Sequence, residues 1–289
     1  MFGINRPLRF AVALLLGFYL FLYPGSIILV ALDRVPVWGT WMGGALLVLL
    51  GSLAGLWLTV NFGRWGAYAS VWVLFLSWLV EHVGATTGFP FGAYTYTDVL
   101  QPQIFGVVPL AIPFAWLLIV TAAMGTAEML LERDGRAANA DLRVSATKVL
   151  FAAAFALLLD VTIEPFAVHI NHYWVWSDSP QSGYYGIPAS NFMAWWVTSL
   201  LLSWVVLLHR RWAARESLAA QRPRPEAFWP WLPLTLYLTN LTMFVVVNLA
   251  RGQETAAVIG ALIFGGIAWY GFLPRLRRLL RAGKQGSEA

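Results

Sequence analysis

The chain has 289 residues, 59% of them hydrophobic and only 11% charged, with a mean hydropathy of +0.67. A soluble domain covers itself with about 25% charged residues, so most of this surface must face lipid. No cysteine is present, which excludes disulfides, thiolate catalysis and cysteine metal sites. The four histidines His82, His169, His172 and His209 are too few for the ligand boxes of di-iron membrane oxygenases. The net charge of +5 comes from short loops and argues for no nucleic acid partner.

A membrane span needs about 20 mostly apolar residues. The first candidate, 8–32, follows Arg6 and Arg9 as a signal peptide would, but no small-x-small cleavage site follows the apolar run. It is read as a retained helix. Next come 38–60 and 66–83, the latter carrying Glu81 and His82 near its end. A long connection, 84–106, holds Thr86, Thr87, Tyr94, Tyr96 and Asp98. The span 107–131 carries Trp116, and Glu128 near its inner end. In 146–164, Asp160 follows the apolar run Val149–Leu159, and Glu164 lies four residues on, on the same helical face. Pro165 should end or kink that helix. A second long connection, 165–186, holds His169, Asn171, His172, Tyr173, Asp178, Tyr184 and Tyr185. The remaining spans are 187–209, 228–249 and 255–273, with Asn240 and Asn248 of the seventh expected to act as inter-helix hydrogen-bond glue.

The basic residues set the orientation. With the N-terminus inside, seventeen of the 19 Lys and Arg fall on the cytoplasmic side, and only Arg34 and Arg251 fall outside. The expectation is an all-α, polytopic integral membrane bundle of eight transmembrane helices. It forms one domain over 1–289, with both termini cytoplasmic, in the cell's inner (cytoplasmic) membrane. The two long outer connections lack Lys and Arg and are rich in Gly, Pro and aromatics. They suggest segments folded back on the helix ends, a polar-aromatic layer over a cavity. An interfacial aromatic belt accounts for many of the other Trp and Tyr residues.

Sliding the chain by 79 residues sets Glu81 on Asp160, Tyr94 on Tyr173, Pro109 on Pro188, Ala115 on Ala194 and Trp116 on Trp195 without a gap. This predicts a parallel internal repeat of helices 3–4 and 5–6 about an axis along the membrane normal. Glu81 and Asp160 would then stand at one depth across a cleft. Ionisable groups within spans are expensive and usually functional; the bland alternative for Glu81, Asp160 and Glu164 is a buried hydrogen-bonded strut.

Desolvation disfavours a charged carboxyl, and a neutral carboxyl can act as a general acid. Aromatic faces stabilise cations. Together they suit protonation of an electron-rich double bond to a tertiary carbocation, followed by capture of water. No dinucleotide fingerprint and no Asp-rich diphosphate motif appears, so neither a cofactor nor a metal is expected.

The segment EHVGATTGFPFGAYTYTDVLQPQIFGVVPLAIPFAW, residues 81–116, and the segment DVTIEPFAVHINHYWVW followed by YYGIPASNFMAWW, residues 160–196, resemble the two conserved blocks of the membrane-bound carotenoid hydratases. The resemblance implies addition of water across the terminal 1',2' double bond of an acyclic carotenoid, with γ-carotene, lycopene or C50 bacterioruberin precursors as substrates. It also implies membrane lipid and other membrane enzymes of carotenoid synthesis as partners. The roles come from the physical argument instead. Asp160 or Glu81 would protonate C2', with the other, or Glu164, orienting water. His82, His169 and His172 would relay protons. Tyr94, Tyr96, Trp116, Tyr173, Tyr184 and Trp195 would line the end-group pocket, and Asn191 would hold the new hydroxyl. Two alternatives stay open: a carotenoid cyclase sharing the protonation step, and a non-enzymatic carotenoid or lipid binding protein or transporter.

Overall fold

The structure, a computed structural model, describes residues 5–131, 142–177, 183–220 and 227–271. Asp178 and the basic residues of 132–141, 221–226 and 272–289 fall outside the described residues. Eight helices run in order: α1 Asn5–Ala31, α2 Met42–Phe62, α3 Arg64–Thr87, α4 Ala111–Leu131, α5 Leu142–Pro165, α6 Ala189–Ala219, α7 Leu232–Ala250 and α8 Glu254–Gly271. Each belongs to a segment long and apolar enough to cross a membrane, as expected from hydropathy.

Several helices outrun the apolar windows. Thr86 and Thr87, expected in a connection, are helical, because their hydroxyls donate back to the carbonyls of His82 (2.7 Å) and Val83 (2.6 Å). α3 then stops at Gly88, whose positive φ of 78° suits a residue without a side chain. At the other long connection, Pro165 does not release the chain. A π-helical turn, Phe166–Ile170, follows it directly and takes His169 into helical structure. Proline lacks the N–H that would reach the carbonyl four residues back. That carbonyl belongs to Val161, and the Tyr184 hydroxyl donates to it at 2.7 Å.

α4 is the centre of the bundle: 61% of its apolar window is buried, against 17% for α1. Around it run α2, α3, α6, α5 and α7, each packed on the next except for the pair α7 and α2, which α1 bridges. Both long connections lie over the same end of this ring. Strands β1 Tyr94–Tyr96, β2 Gln103–Ile104, β3 Val108–Pro109 and β4 Trp174–Trp176 form two antiparallel ribbons, β1 with β4 and β2 with β3. In the first, Tyr94 faces Trp176 and Tyr96 faces Trp174. Side chains alternate along a strand, so Thr95 and Val175 point outward while the four aromatics turn down into the bundle.

Gly84 makes the seat for this roof. A Cβ there would lie 2.6 Å from the Phe91 ring and 3.0 Å from Tyr94 Oη, so only glycine lets the returning chain press on α3 one turn past Glu81. At the opposite end, Arg210 grips Glu128 with both nitrogens, at 2.8 and 3.0 Å, and His209 Nδ1 bonds its own helix at Val205 O.

Candidate active site

Under the roof lies a cavity of about 90 Å³ lined almost wholly by apolar and aromatic side chains. Among the expected residues, Glu81, Glu164, Tyr94, Tyr96, Tyr173, Asn191, Trp116 and Trp195 all reach it. Glu81, from α3, accepts three hydrogen bonds: Tyr94 Oη at 2.6 Å and Tyr96 Oη at 2.7 Å on Oε2, and Trp116 Nε1 at 2.8 Å on Oε1. Burial first, and then the Glu81 carboxylate, pushes both phenols above the ordinary tyrosine range. They therefore stay O–H donors. Behind Trp116, the Trp195 indole stacks at 4.2 Å with the planes 29° apart.

Glu164, from the end of α5, accepts Asn191 Nδ2 at 2.8 Å and Trp174 Nε1 at 3.2 Å. The Trp176 side chain lines the same cavity, but its indole N–H closes no hydrogen bond. Asp160 is fully buried one turn earlier and does not line the cavity. Its Oδ2 lies 3.5 Å from Asn191 Nδ2, and its Oδ1 has no partner. The ion pairs of the described residues, Arg64–Glu216, Arg210–Glu128 and Arg251–Asp33, involve none of these three carboxyls. By hydrogen-bond environment the counterpart of Glu81 is Glu164, one turn beyond the Asp160 that the 79-residue alignment sets opposite it.

Other expected residues stand apart. The histidines do not reach the cavity. His82 is half-buried against Trp78, ring centroids 5.4 Å apart. His169 and His172 are exposed, their rings bonded to the carbonyls of Tyr185 (3.0 Å) and Val168 (2.9 Å). Tyr184 braces Val161 and does not line the cavity.

Sequence reasoning missed Trp174, Trp176, Phe91, Phe166, Asn240 and Phe244, which all line the cavity. The signal for the tryptophans was the WVW triplet, whose alternation matches YTY on the partner strand. Asn240 was expected to glue helices together; its amide bonds Leu236 O of its own helix at 2.8 Å. Asn248 does bridge, to Thr162 O at 2.8 Å.

Burying carboxyls in an apolar cavity is unfavourable unless donors or cations compensate. Among the described residues the compensation is phenol, indole and amide N–H and O–H groups alone. Such a site offers proton donors and acceptors beside aromatic faces, and among the described residues no Lys or Arg lines it.

Residues 42–267 match a family of proteins described as carotenoid biosynthesis proteins, in line with the resemblance carried by the two motif blocks. Over 152 residues the chain is 32% identical to the bisanhydrobacterioruberin hydratase of Haloarcula japonica, covering 53% of this chain and 47% of that protein. The chain thus spans about half the length of this curated relative. No solved structure matches the chain.

Proposed function

This chain belongs to the carotenoid biosynthesis protein family, and from that premise we propose that it is a carotenoid hydratase of the cytoplasmic membrane, adding water across the terminal 1',2' double bond of an acyclic carotenoid end group. The observation that carries the reading is the pair Glu81 and Glu164, two buried carboxyls with no cationic partner among the described residues, lining one aromatic-walled cavity. The hydratase activity of the Haloarcula relative, as its name gives it, supports the same chemistry.

In the proposed mechanism the Glu164 carboxyl, which borders the cavity, gives its proton to C2'. The π electrons form the new C–H bond, and C1' becomes a tertiary cation. Trp116, Trp195 and the tyrosine rings stabilise that cation through their faces. Glu81, which accepts three donors, acts as the carboxylate that offsets the positive charge and orients the water. Water bonds to C1' through an oxygen lone pair and loses a proton to a carboxylate. The net change is addition of one H₂O, with no electrons gained or lost. Asp160, behind Glu164 and sharing the Asn191 amide, passes its own proton to Glu164 and takes up the one that water lost to Glu81, so each carboxyl ends the turnover as it began.

Expression in a host that accumulates lycopene, followed by mass spectrometry of the pigments, tests the reading. Hydration predicts a product heavier by one water. A product of unchanged mass with a new ring would overturn it in favour of cyclisation. Unmodified pigment bound to the protein would overturn it in favour of carriage.

A further inference from the structure

Among the described residues three asparagines are buried, Asn191, Asn240 and Asn248, and each is spent differently. Asn248 of α7 donates to Thr162 O of α5 at 2.8 Å and so ties two helices. Asn191 of α6 gives its amide to Glu164 and Asp160. Asn240 of α7 does neither: its Nδ2 donates to Leu236 O of its own helix at 2.8 Å. That bond fixes the two ends of the amide, because only the NH₂ group can donate to a carbonyl. Oδ1 accepts from no described group, yet it is not sealed off as Asp160 Oδ1 is. Asn240 lines the cavity, so its carbonyl is an open acceptor on the wall. Polar groups within a span are costly, and this one bridges no helices in return.

The depth of Asn240 follows from the contact of α7 with α4. In a run of eight successive crossings the fourth and seventh helices are antiparallel. Gly125 of α4 meets Pro233 of α7 so closely that a Cβ on Gly125 would strike the proline ring. Seven residues from that contact, toward the roof, stand Asn240 on α7 and Leu118 on α4. Leu118 is two residues, about 3 Å of helical rise, from Trp116, whose indole N–H holds Glu81 Oε1 at 2.8 Å. In the ring around α4, α7 is not a neighbour of α3. Asn240 and Glu81 therefore belong to different walls of the cavity at nearly the same level.

The chemistry has a use for such a group. A water that attacks C1' spends a lone pair on the new C–O bond. It is best held by acceptors that take its hydrogens, since donors would occupy its lone pairs. The indole N–H groups of the cavity are donors only. Glu81 already accepts three hydrogen bonds, which leaves about one of a carboxylate's four lone-pair directions. The second hydrogen of the water needs another acceptor. A second carboxylate in that place would draw a proton from the cation and return the alkene, whereas an amide carbonyl is too weak a base to do so.

We propose that Asn240 Oδ1 holds the reacting water from the wall opposite the Glu81 group, and then holds the tertiary hydroxyl that the water becomes. This rests on the hydratase reading and names the group that commits its cation to water. A lone pair of the water oxygen forms the C1'–O bond, and one O–H proton passes to the Glu81 carboxylate. The other hydrogen stays on oxygen and donates to Asn240 Oδ1. Asn191 remains with the acid, holding Glu164.

Deuterium oxide separates the two halves of the reaction. If the cation forms and Glu164 takes back the original proton from C2', the recovered lycopene carries deuterium at that carbon. If water captures the cation, the heavier hydrate appears. Purified protein in liposomes containing lycopene is assayed for both by mass spectrometry. Asn240→Leu, similar in size and without an acceptor, should form hydrate about tenfold more slowly, the worth of one hydrogen bond, with exchange unchanged or raised. Asn240→Ser, whose hydroxyl can accept, should bring hydration back to within about threefold of wild type. Asn191→Leu, which strips a donor from Glu164, should lower exchange and hydration together. A ratio of hydrate to exchange in Asn240→Leu equal to that of wild type overturns the proposal, whether both rates hold or both fall, because a merely structural role predicts that equality. Wild-type protein that exchanges C2' without forming hydrate would sink the hydratase reading itself, and this proposal with it.

Discussion

Asp160 stands one helical turn behind Glu164, and the two share a single amide, Asn191 Nδ2, at 3.5 and 2.8 Å. Only Glu164 borders the cavity. Glu164→Gln should therefore lower hydrated product by on the order of a hundredfold or more, the usual worth of a general acid, while protein level and bound pigment hold. Asp160→Asn should also abolish steady turnover, but a single turnover from the already protonated enzyme should survive. Pigment analysis in a lycopene-accumulating host and a rapid-quench assay check the two, and full steady-state activity of Asp160→Asn removes that residue from the mechanism.

The phenols on Glu81 give a graded prediction. Tyr94→Phe and Tyr96→Phe each delete one donor to the same oxygen without changing ring volume. A hydrogen bond to a charged group contributes about 1.5–3 kcal/mol, so each single variant should be slower by roughly tenfold to a hundredfold. The double variant should exceed either. Activity of the double variant equal to wild type would show that Glu81 is only a strut.

Buried tyrosines predict a pH limit on stability. Burial pushes Tyr173 from 10.0 up to about 12, with the Asn171 hydrogen bond offsetting part of the shift. Below pH 10 the phenol is protonated whether the protein is folded or not, so the full stability is present. Between 10 and 12 the unfolded phenol loses its proton first and stability falls. Thermal inactivation in detergent should be flat near neutrality and accelerate in that alkaline window, less so in Tyr173→Phe.

The histidines separate site from surface. His169→Gln and His172→Gln alter exposed rings bonded to backbone carbonyls, and exposed substitutions of this kind change stability within about 0.5 kcal/mol. Hydrated product should stay within about twofold of wild type. A large loss in either would restore the proton-relay role that the residue types suggested.

Gly84→Ala tests the seat of the roof. The added methyl would lie 2.6 Å from the Phe91 ring, and overpacking of this kind costs about 1–3 kcal/mol. The variant should melt earlier and lose activity together, and Tyr94→Phe should add little on top, since both act by separating Tyr94 from Glu81.

Eight spans could be read from hydropathy because a helix in lipid must be apolar over its whole crossing. The carboxyls stood out for the same reason: Glu81, Asp160 and Glu164 are the only acidic residues in their spans. What stayed illegible was the depth of each side chain around its helix. Four residues separate Asp160 from Glu164, and period alone set both on one face; the cavity wall passes between them. The contribution of α7 was hidden too, since Asn240 and Phe244 look like any polar glue and any apolar filler. His169 and His172 drew attention by chemistry, yet the π-helical turn after Pro165 carries them to the surface. No local pattern announces such a turn.

The donors that serve each cavity carboxyl have a consequence for how the protein is made. Glu81 draws on Tyr94, Tyr96 and Trp116, and Glu164 on Trp174 and Asn191, so each acid finds its partners within the helix pair that begins with it, at most 35 positions along the chain. Each hairpin can enter the bilayer with its acid already solvated by its own residues. The ribbon between Tyr94–Tyr96 and Trp174–Trp176 can form only once both hairpins are in. The contact that joins the two hairpins is then also the one that covers the cavity.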